Sequence, residues 1–361
     1  MTLTLPDSGV VNSVGYVDEA RVEGTTIELL GWVASSGTAP IDRLTVELDG
    51  ELQPAAEVEF GIVSADVAEV HPKLLQAEKS RYRILIPNAV SEAKPPDDRL
   101  LVVHPWAGDA PARPLLHVVA PSIPVPPGEN LDLVGGGINV GYEFLAHLTG
   151  LADLRPDEAV LDIGCGTGRI AYALRSYLDG RARYEGFDIV RSLVDWASEQ
   201  ITSRAPGFRF THADIANDFY NRDGRISPAE YRFPYDDGSF DLAFLTSVFT
   251  HMQQPAIEHY LDEIWRVLRP GGRCFVTCFL LDDESRPSQA AGKGAFELRY
   301  PVGGGWCTDP SNPEAAIGFE ADDLLGWVSQ RGFKLRAAYP GWWSGRFPYL
   351  TYQDVLVLDR P

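Results

Sequence analysis

The segment AVLDIGCGTGR, residues 159–169, has the residue types of a ligand cradle: an apolar run, an acid at Asp162, and glycines at 164, 166 and 168 ahead of a helical stretch from Ile170. Glycine lets the backbone turn tightly and approach a ligand with no Cβ in the way. Dinucleotide sites use G-x-G-x-x-G and seat pyrophosphate on the helix N-terminus, and phosphate loops close with Lys and Ser or Thr. Here the spacing is G-x-G-x-G and Arg169 follows Gly168 with no GK[ST]; the acid at Asp162 disfavours phosphate and favours the cationic end of a cofactor. Two further acids end the next strand patterns. YEGFDI runs into Asp188, 22 residues beyond Gly166, where a carboxylate can accept both hydroxyls of a ribose. FRFTHADI runs into Asp214, placed to accept from an exocyclic amine, with Ile215 beside it able to pack on an adenine face. Taken singly, each feature is also what a tight turn or a strand-end cap would show; their joint spacing in one α/β unit points to a cofactor.

VLDIGCGTGR, GFDI and HADI, followed by FDLAFLTSVFTHM and VLRPGGRCFVT, resemble the class I S-adenosylmethionine-dependent methyltransferase family over roughly residues 130–361. The resemblance implies a Rossmann-like α/β domain with a seven-stranded sheet of order 3-2-1-4-5-7-6, S-adenosylmethionine as cofactor, and methyl transfer by in-line displacement. It implies cofactor contacts from Asp162, Gly164, Cys165, Gly166, Gly168, Asp188, Ile189, Asp214, Ile215 and Thr246.

Methyl transfer asks the protein for alignment and, with an alcohol acceptor, for a base. His251, in SVFTHM after the fourth strand, is the candidate base, since ligands of open α/β sheets sit at the strands' C-terminal ends. A histidine that caps or packs at the next helix would look the same in sequence. Tyr142, Tyr220, Trp343, Arg346 and Tyr352 are the candidate acceptor-binding residues. Tyr220 belongs, with Phe219, Tyr231 and Tyr235, to the connection between Asp214 and Phe240, much longer than the usual ~2–6 residues and hence a candidate lid or binding wall. Trp343, Arg346 and Tyr352 form an aromatic and polar set, GWWSGR to YQD, that suits a sugar; an Arg346–Asp354 ion pair beside a buried Trp pair is the alternative and the favoured one. The run Asp282-Asp-Glu284 reads as a solvated turn, and no metal is expected.

These residues need elements to carry them. From Thr25 to Val119, short apolar runs (TTIELLGWVA, DRLTVELDG, YRILIPN, RLLVVHPW, PLLHVVAP) are separated by turn formers, which predicts a small all-β sandwich over residues 1–120, with residues 64–76 helical or looped. Residues 121–128 hold four prolines in eight positions and predict a stiff linker over 121–129. The strand and helix alternation beyond it, opening with a helix near Val140–Leu151, predicts a parallel sheet covered by helices across 130–361.

A net charge of −20 argues against nucleic acid and anionic membranes as partners. No apolar run approaches the ~20 residues of a membrane helix, and MTLTLPD lacks the marks of a signal peptide, so a cytoplasmic protein is expected. The four cysteines lack zinc-site spacing and read as reduced and structural. GGGINVGYEFL, SVFTHM and the WWSGR to YQD tail, with the N-terminal pieces GWVASSG and FGIVSADVAEVHP, also resemble bacterial methyltransferases of glycan and surface polysaccharide assembly. That resemblance implies O-methylation of a sugar hydroxyl. A small natural product or lipid-linked metabolite as acceptor, and a non-catalytic module of the same fold, are the alternatives.

Overall fold

A computed structural model describes residues 12–91 and 97–361; the stretch read for a signal peptide lies outside the described residues. Contacts divide the chain into two compact units, one of residues 12–150 with 169–179, the other of 151–168 with 180–361.

The first unit is strand-rich: β1 (Ser13–Glu23), β2 (Thr26–Ser35), β3 (Arg43–Leu48), β4 (Glu51–Leu52), β5 (Glu57–Ile62), β6 (Arg81–Ile86), β7 (Arg99–Ala107), β8 (Ala110–Pro111) and β9 (Leu115–Val119). They form two antiparallel sheets, β1-β2-β6-β5 and β4-β3-β7-β8, with β9 added on β7. Alternate residues point inward, as Leu44, Val46 and Leu48 do on β3, and Ile27, Leu29, Ile84, Leu101 and Val103 join them in one apolar cluster. Strand β1 escaped the sequence reading because a bulge between Val17 and Glu19 breaks its alternation. Strand β5 escaped it because it lies at a sheet edge and presents no buried face. The expected element in 64–76 is a short helix, α1 (Ala65–Val70).

Helices α2 (Gly128–Leu133), α3 (Asn139–Leu151) and α4 (Arg169–Leu174) follow. The unit division departs from the boundary expected at residues 121–129: the proline run, free of helix and strand up to Pro127, after which α2 begins, lies inside the first unit, and nearly all of α3 belongs there too. The reason is that α3 and α4 pack on each other and back onto the proline run and the strand before it. A Cβ on Gly141 of α3 would lie 2.2 Å from the Arg169 carbonyl oxygen, Tyr142 packs on His117 at 4.5 Å, and the Tyr172 hydroxyl donates to the Ile123 carbonyl at 3.1 Å.

The second unit holds β10 (Ala159–Ile163), β11 (Arg183–Asp188), α5 (Arg191–Ala197), β12 (Phe208–His212), β13 (Phe240–Leu245), α6 (Gln254–Val267), β14 (Leu268–Cys278), β15 (Leu280–Leu281), α7 (Ser285–Ala290), β16 (Tyr300–Val302), β17 (Gly305–Cys307), β18 (Ile317–Glu320), α8 (Ala321–Gln330), β19 (Lys334–Tyr339) and β20 (Asp354–Asp359). Seven of the strands make one sheet, β12-β11-β10-β13-β14-β20-β19, parallel from β12 to β14, with β20 antiparallel to both neighbours. Counted along the chain, that order is 3-2-1-4-5-7-6. Every residue of β13 is buried, as expected of a strand enclosed on both faces. Helix α6 starts with Pro255 in its first turn and turns Ile257, Leu261 and Ile264 into the main core. Residues 213–239 connect β12 to β13 without a helix or strand, the long connection expected there, whereas the second small sheet β15-β18-β17-β16, inserted between β14 and β19, was not anticipated.

Candidate functional site

Strand β10 ends in the glycine turn. Gly164, Gly166 and Gly168 have φ of 76°, 54° and 73°, the left-handed region that L side chains rarely adopt. A Cβ on Gly164 would also lie 2.4 Å from Val248 Cγ2. Asp188, at the end of β11, is half-buried and locked onto this turn: one carboxylate oxygen accepts from the Gly166 N–H at 2.7 Å, the other from the Val190 N–H at 2.8 Å. Burial raises its carboxyl above the ordinary value, opposed by those backbone donors. Each oxygen keeps further acceptor capacity, enough for a pair of hydroxyls. The Thr167 hydroxyl, fully buried in the turn, has no hydrogen-bond partner.

Asp162 sits deeper. It is buried and accepts from the Tyr184 hydroxyl at 2.5 Å, a bond that ties β10 to β11 just before the turn. Cys165 is buried against Gly186, and burial, with Asp162 and Asp188 nearby, holds its thiol protonated. Ile189 packs against the core, Ile215 lies within it, and Thr246 follows the end of β13, half-buried. Asp214 departs from the expected free acceptor: Arg225, eleven residues on, forms an ion pair with it and lowers its carboxyl's pKa. The Asp214 carbonyl also accepts from the Ile226 N–H at 3.0 Å, so this residue anchors the return of the long connection.

His251 follows Ser247, a non-glycine residue at φ 60° just beyond β13. That conformation is held by a ring of bonds: Ser247 N–H to Thr277 Oγ1 at 2.8 Å, Thr277 hydroxyl to Gln353 Oε1 at 2.5 Å, and Gln353 Nε2 to Ser247 Oγ at 3.0 Å. The His251 Nδ1 lies 2.7 Å from the Glu314 carbonyl oxygen. A carbonyl only accepts, so Nδ1 carries the proton and Nε2 the lone pair. Burial lowers the imidazole's pKa, which keeps the ring neutral near neutral pH. Phe219 stacks parallel to the ring at 6.4 Å and Tyr220 meets it edge-on at 5.2 Å. Asn217 holds both aromatics by accepting from the Phe219 and Tyr220 N–H groups at 3.1 and 2.7 Å. It donates in turn to Glu314 Oε2 at 2.8 Å.

Glu314 thus ties the imidazole by its backbone and the aromatic turn by its side chain. Sequence reading missed it, because it lies in the inserted segment 63 residues beyond His251. Of the remaining acceptor candidates, Trp343 and Arg346 are committed to partners inside the core. Tyr142 is buried in the other compact unit. Trp343 is fully enclosed, its indole N–H donating to Asp354 Oδ2 at 2.8 Å. Arg346 lies buried between Asp354 and Asp282, 2.9 Å from the latter, and presents no face to an acceptor. Asp282 is accordingly not part of a solvated turn; it is the buried counter-ion of Arg346. Tyr352 is half-buried against Trp342 and Phe279. Tyr231 is buried on Phe187 and Phe233, an anchor for the long connection. Among the described residues, no group of three or more His, Cys, Asp or Glu is placed to hold a metal ion.

Residues 160–272, from β10 through the glycine turn, Asp188 and His251 to β14, match a family model described as a methyltransferase domain. Residues 160–272 carry a methyltransferase domain. It is 33% identical over 121 residues to an uncharacterised 37.1 kDa protein of a Streptomyces fradiae transposon, covering 34% of this chain and 30% of that protein. It is 27% identical over 222 residues to the O-methyltransferase cnsE of Penicillium expansum, covering 56% of this chain and 67% of that protein. A solved TehB-like SAM-dependent methyltransferase from Corynebacterium glutamicum aligns at 20% identity and a TM-score of 0.40, covering 64% of this chain and 94% of that one. The chain therefore spans under a third of the first of these curated relatives.

S-adenosylmethionine is the cofactor of this methyltransferase domain, and the residues present fit it. The positive-φ glycines leave room for a close backbone approach, Asp188 offers an oriented carboxylate for ribose hydroxyls, and the enclosed Thr167 hydroxyl lacks a partner that a ligand could supply.

Proposed function

We propose that the chain is an S-adenosylmethionine-dependent O-methyltransferase acting on a hydroxyl of a sugar in a glycan or glycan precursor. When bound, the cofactor supplies a methyl group on a sulfonium. Asp188 and the glycine turn would hold it, while Asp162 and Tyr184 tie β10 to β11 just before that turn. The observation that carries the acceptor chemistry is the His251 tautomer: with Nδ1–H tied to the Glu314 carbonyl, Nε2 is left as the acceptor that a hydroxyl proton needs. Phe219 and Tyr220 beside it supply apolar faces of the kind on which a sugar ring stacks. The strand-rich first unit, read as a sandwich-like accessory module, would engage the rest of a large acceptor in the cytoplasm, and nucleic acid stays unfavoured at a net charge of −20.

A natural-product hydroxyl is the second reading, favoured by the likeness to the 27-O-demethylrifamycin SV methyltransferase of Amycolatopsis mediterranei. The deciding experiment is methyl transfer from labelled cofactor to a panel of sugar nucleotides, oligosaccharides and polyketide or alkaloid alcohols. Label in a carbohydrate product at a hydroxyl supports the proposal. Label only in the other alcohols favours the second reading, and label at nitrogen or carbon in every product removes the assignment to oxygen.

A further inference from the structure

The missing helix between β12 and β13 leaves part of a sheet face open. A cavity of about 610 Å³ lies there, walled by the helical turn Ser198–Thr202 on one side and by Tyr235 and Ser239 on the other. Its floor carries Glu185 of β11, paired in register with Arg209 of β12 and two residues from Arg183. Glu185 is only 9% exposed, yet among the described residues no group hydrogen-bonds to its carboxylate. The Ser239 hydroxyl is likewise enclosed without a partner. Buried polar groups in this state are uncommon and costly unless something supplies their bonds.

The charges say what that something is. Arg183 is tied down, donating to the Ser239 carbonyl at 2.7 Å with its guanidinium 4.6 Å from the centre of the Phe240 ring. Arg209 is exposed and makes no ion pair with any described residue. Two guanidinium groups beside Glu185 disfavour a cationic ligand, whereas the hydroxyls of Thr211 and Ser239 alongside a lone carboxylate suit a ligand rich in hydroxyls. Arginine is the side chain best shaped to take a phosphate. We propose that this cavity binds a phosphorylated sugar or polyol, its hydroxyls donating to Glu185 and bonding Ser239, its phosphate meeting Arg209.

The site is separate from the cofactor's. Glu185 lies three residues before Asp188 on β11, about 10 Å along an extended strand and on the opposite face of the pleat.

Calorimetry on the full chain tests this, with glucose 1-phosphate, glucose 6-phosphate and ribose 5-phosphate as probes, glucose and inorganic phosphate as their halves, and each titration repeated with saturating S-adenosylhomocysteine. At least one sugar phosphate is expected to bind with 1:1 stoichiometry, at least about tenfold tighter than either half and undiminished by S-adenosylhomocysteine. Arg209→Ala, at an exposed position, and Glu185→Gln, nearly isosteric, should each weaken it by about tenfold or more while S-adenosylhomocysteine affinity stays at the wild-type value. The proposal is overturned by no saturable binding of any of the three probes, by inorganic phosphate binding as tightly as they do, by competition with S-adenosylhomocysteine, or by wild-type affinity in the Arg209→Ala chain.

Discussion

A main-chain carbonyl can take a proton in a hydrogen bond but cannot give one, and this decides the state of His251. Its Nδ1–H is committed to Glu314, so Nε2 is basic whenever the ring is neutral. Replacing His251 with Ala should cut methyl transfer to a hydroxyl by about 10²- to 10⁴-fold, the usual contribution of a positioned base, with cofactor affinity unchanged in calorimetry. The pH dependence follows from burial. The imidazole's pKa lies below its ordinary ~6.5, and the active form is the deprotonated one. The wild-type rate should rise with pH and reach its half-point below ~6.5; a half-point at ~6.5 or above would take the base assignment away from His251. Asp188→Ala should weaken S-adenosylmethionine binding by ~1–3 kcal/mol, the cost of losing a charged acceptor, and calorimetry at wild-type affinity would exclude it. The place of Asp188 beside the glycine turn was legible because it depends on spacing from that turn. The Arg225 partner of Asp214 was not, because it arises from how a long loop returns on itself, and no local periodicity encodes that.

At the scale of elements, strand patterns showed in the sequence wherever one face or both faces are buried, as in β3, β10 and β13. They did not where a bulge or an edge removes the pattern, as in β1 and β5. The inserted small sheet β15-β18-β17-β16 was missed for a related reason: its strands are two to four residues long, too short for any period to register. That insertion nevertheless supplies Glu314. Glu314→Ala keeps the carbonyl that fixes His251 but releases Asn217 and the aromatic turn, so the KM for the acceptor should rise several-fold more than kcat falls, read in steady-state kinetics. Arg346 ties two other segments, Asp282 after β15 and Asp354 at the start of β20, inside the core. Arg346→Met leaves both carboxylates buried without their cation, a loss of ~3–5 kcal/mol measurable as a lower urea midpoint at pH 7. Burial already raises the Asp354 carboxyl's pKa in the folded chain. A raised carboxyl pKa means that the folded form takes up a proton more readily than the unfolded one. Stability from that source is present below the unfolded value near 3.8 and is lost as pH rises through the folded one. The deficit of Arg346→Met should therefore shrink between pH 7 and pH 4.5.

At the scale of the whole chain, the proline run at residues 121–128 looked like a boundary because composition changes there, but composition does not report which helices pack on which strands. The unit formed by residues 12–150 also claims residues 169–179, the segment that leaves the glycine turn. Within that unit Tyr172 of α4 donates to Ile123, Arg175 pairs with Asp98, and Tyr142 of α3 packs on His117. A chain shortened to begin at Pro126 loses Asp98, His117 and Ile123 together and uncovers a helix whose residues are all buried. Since α4 is joined directly to Gly168, loosening it loosens the turn that must approach the cofactor. The shortened chain should unfold at a clearly lower temperature than the full chain in a thermal melt and bind S-adenosylmethionine at least about tenfold more weakly, a loss of ~1.4 kcal/mol or more. A shortened chain that melts and binds as the full one does would mean that the strand-rich unit is separable after all, and that the proline run is the working boundary.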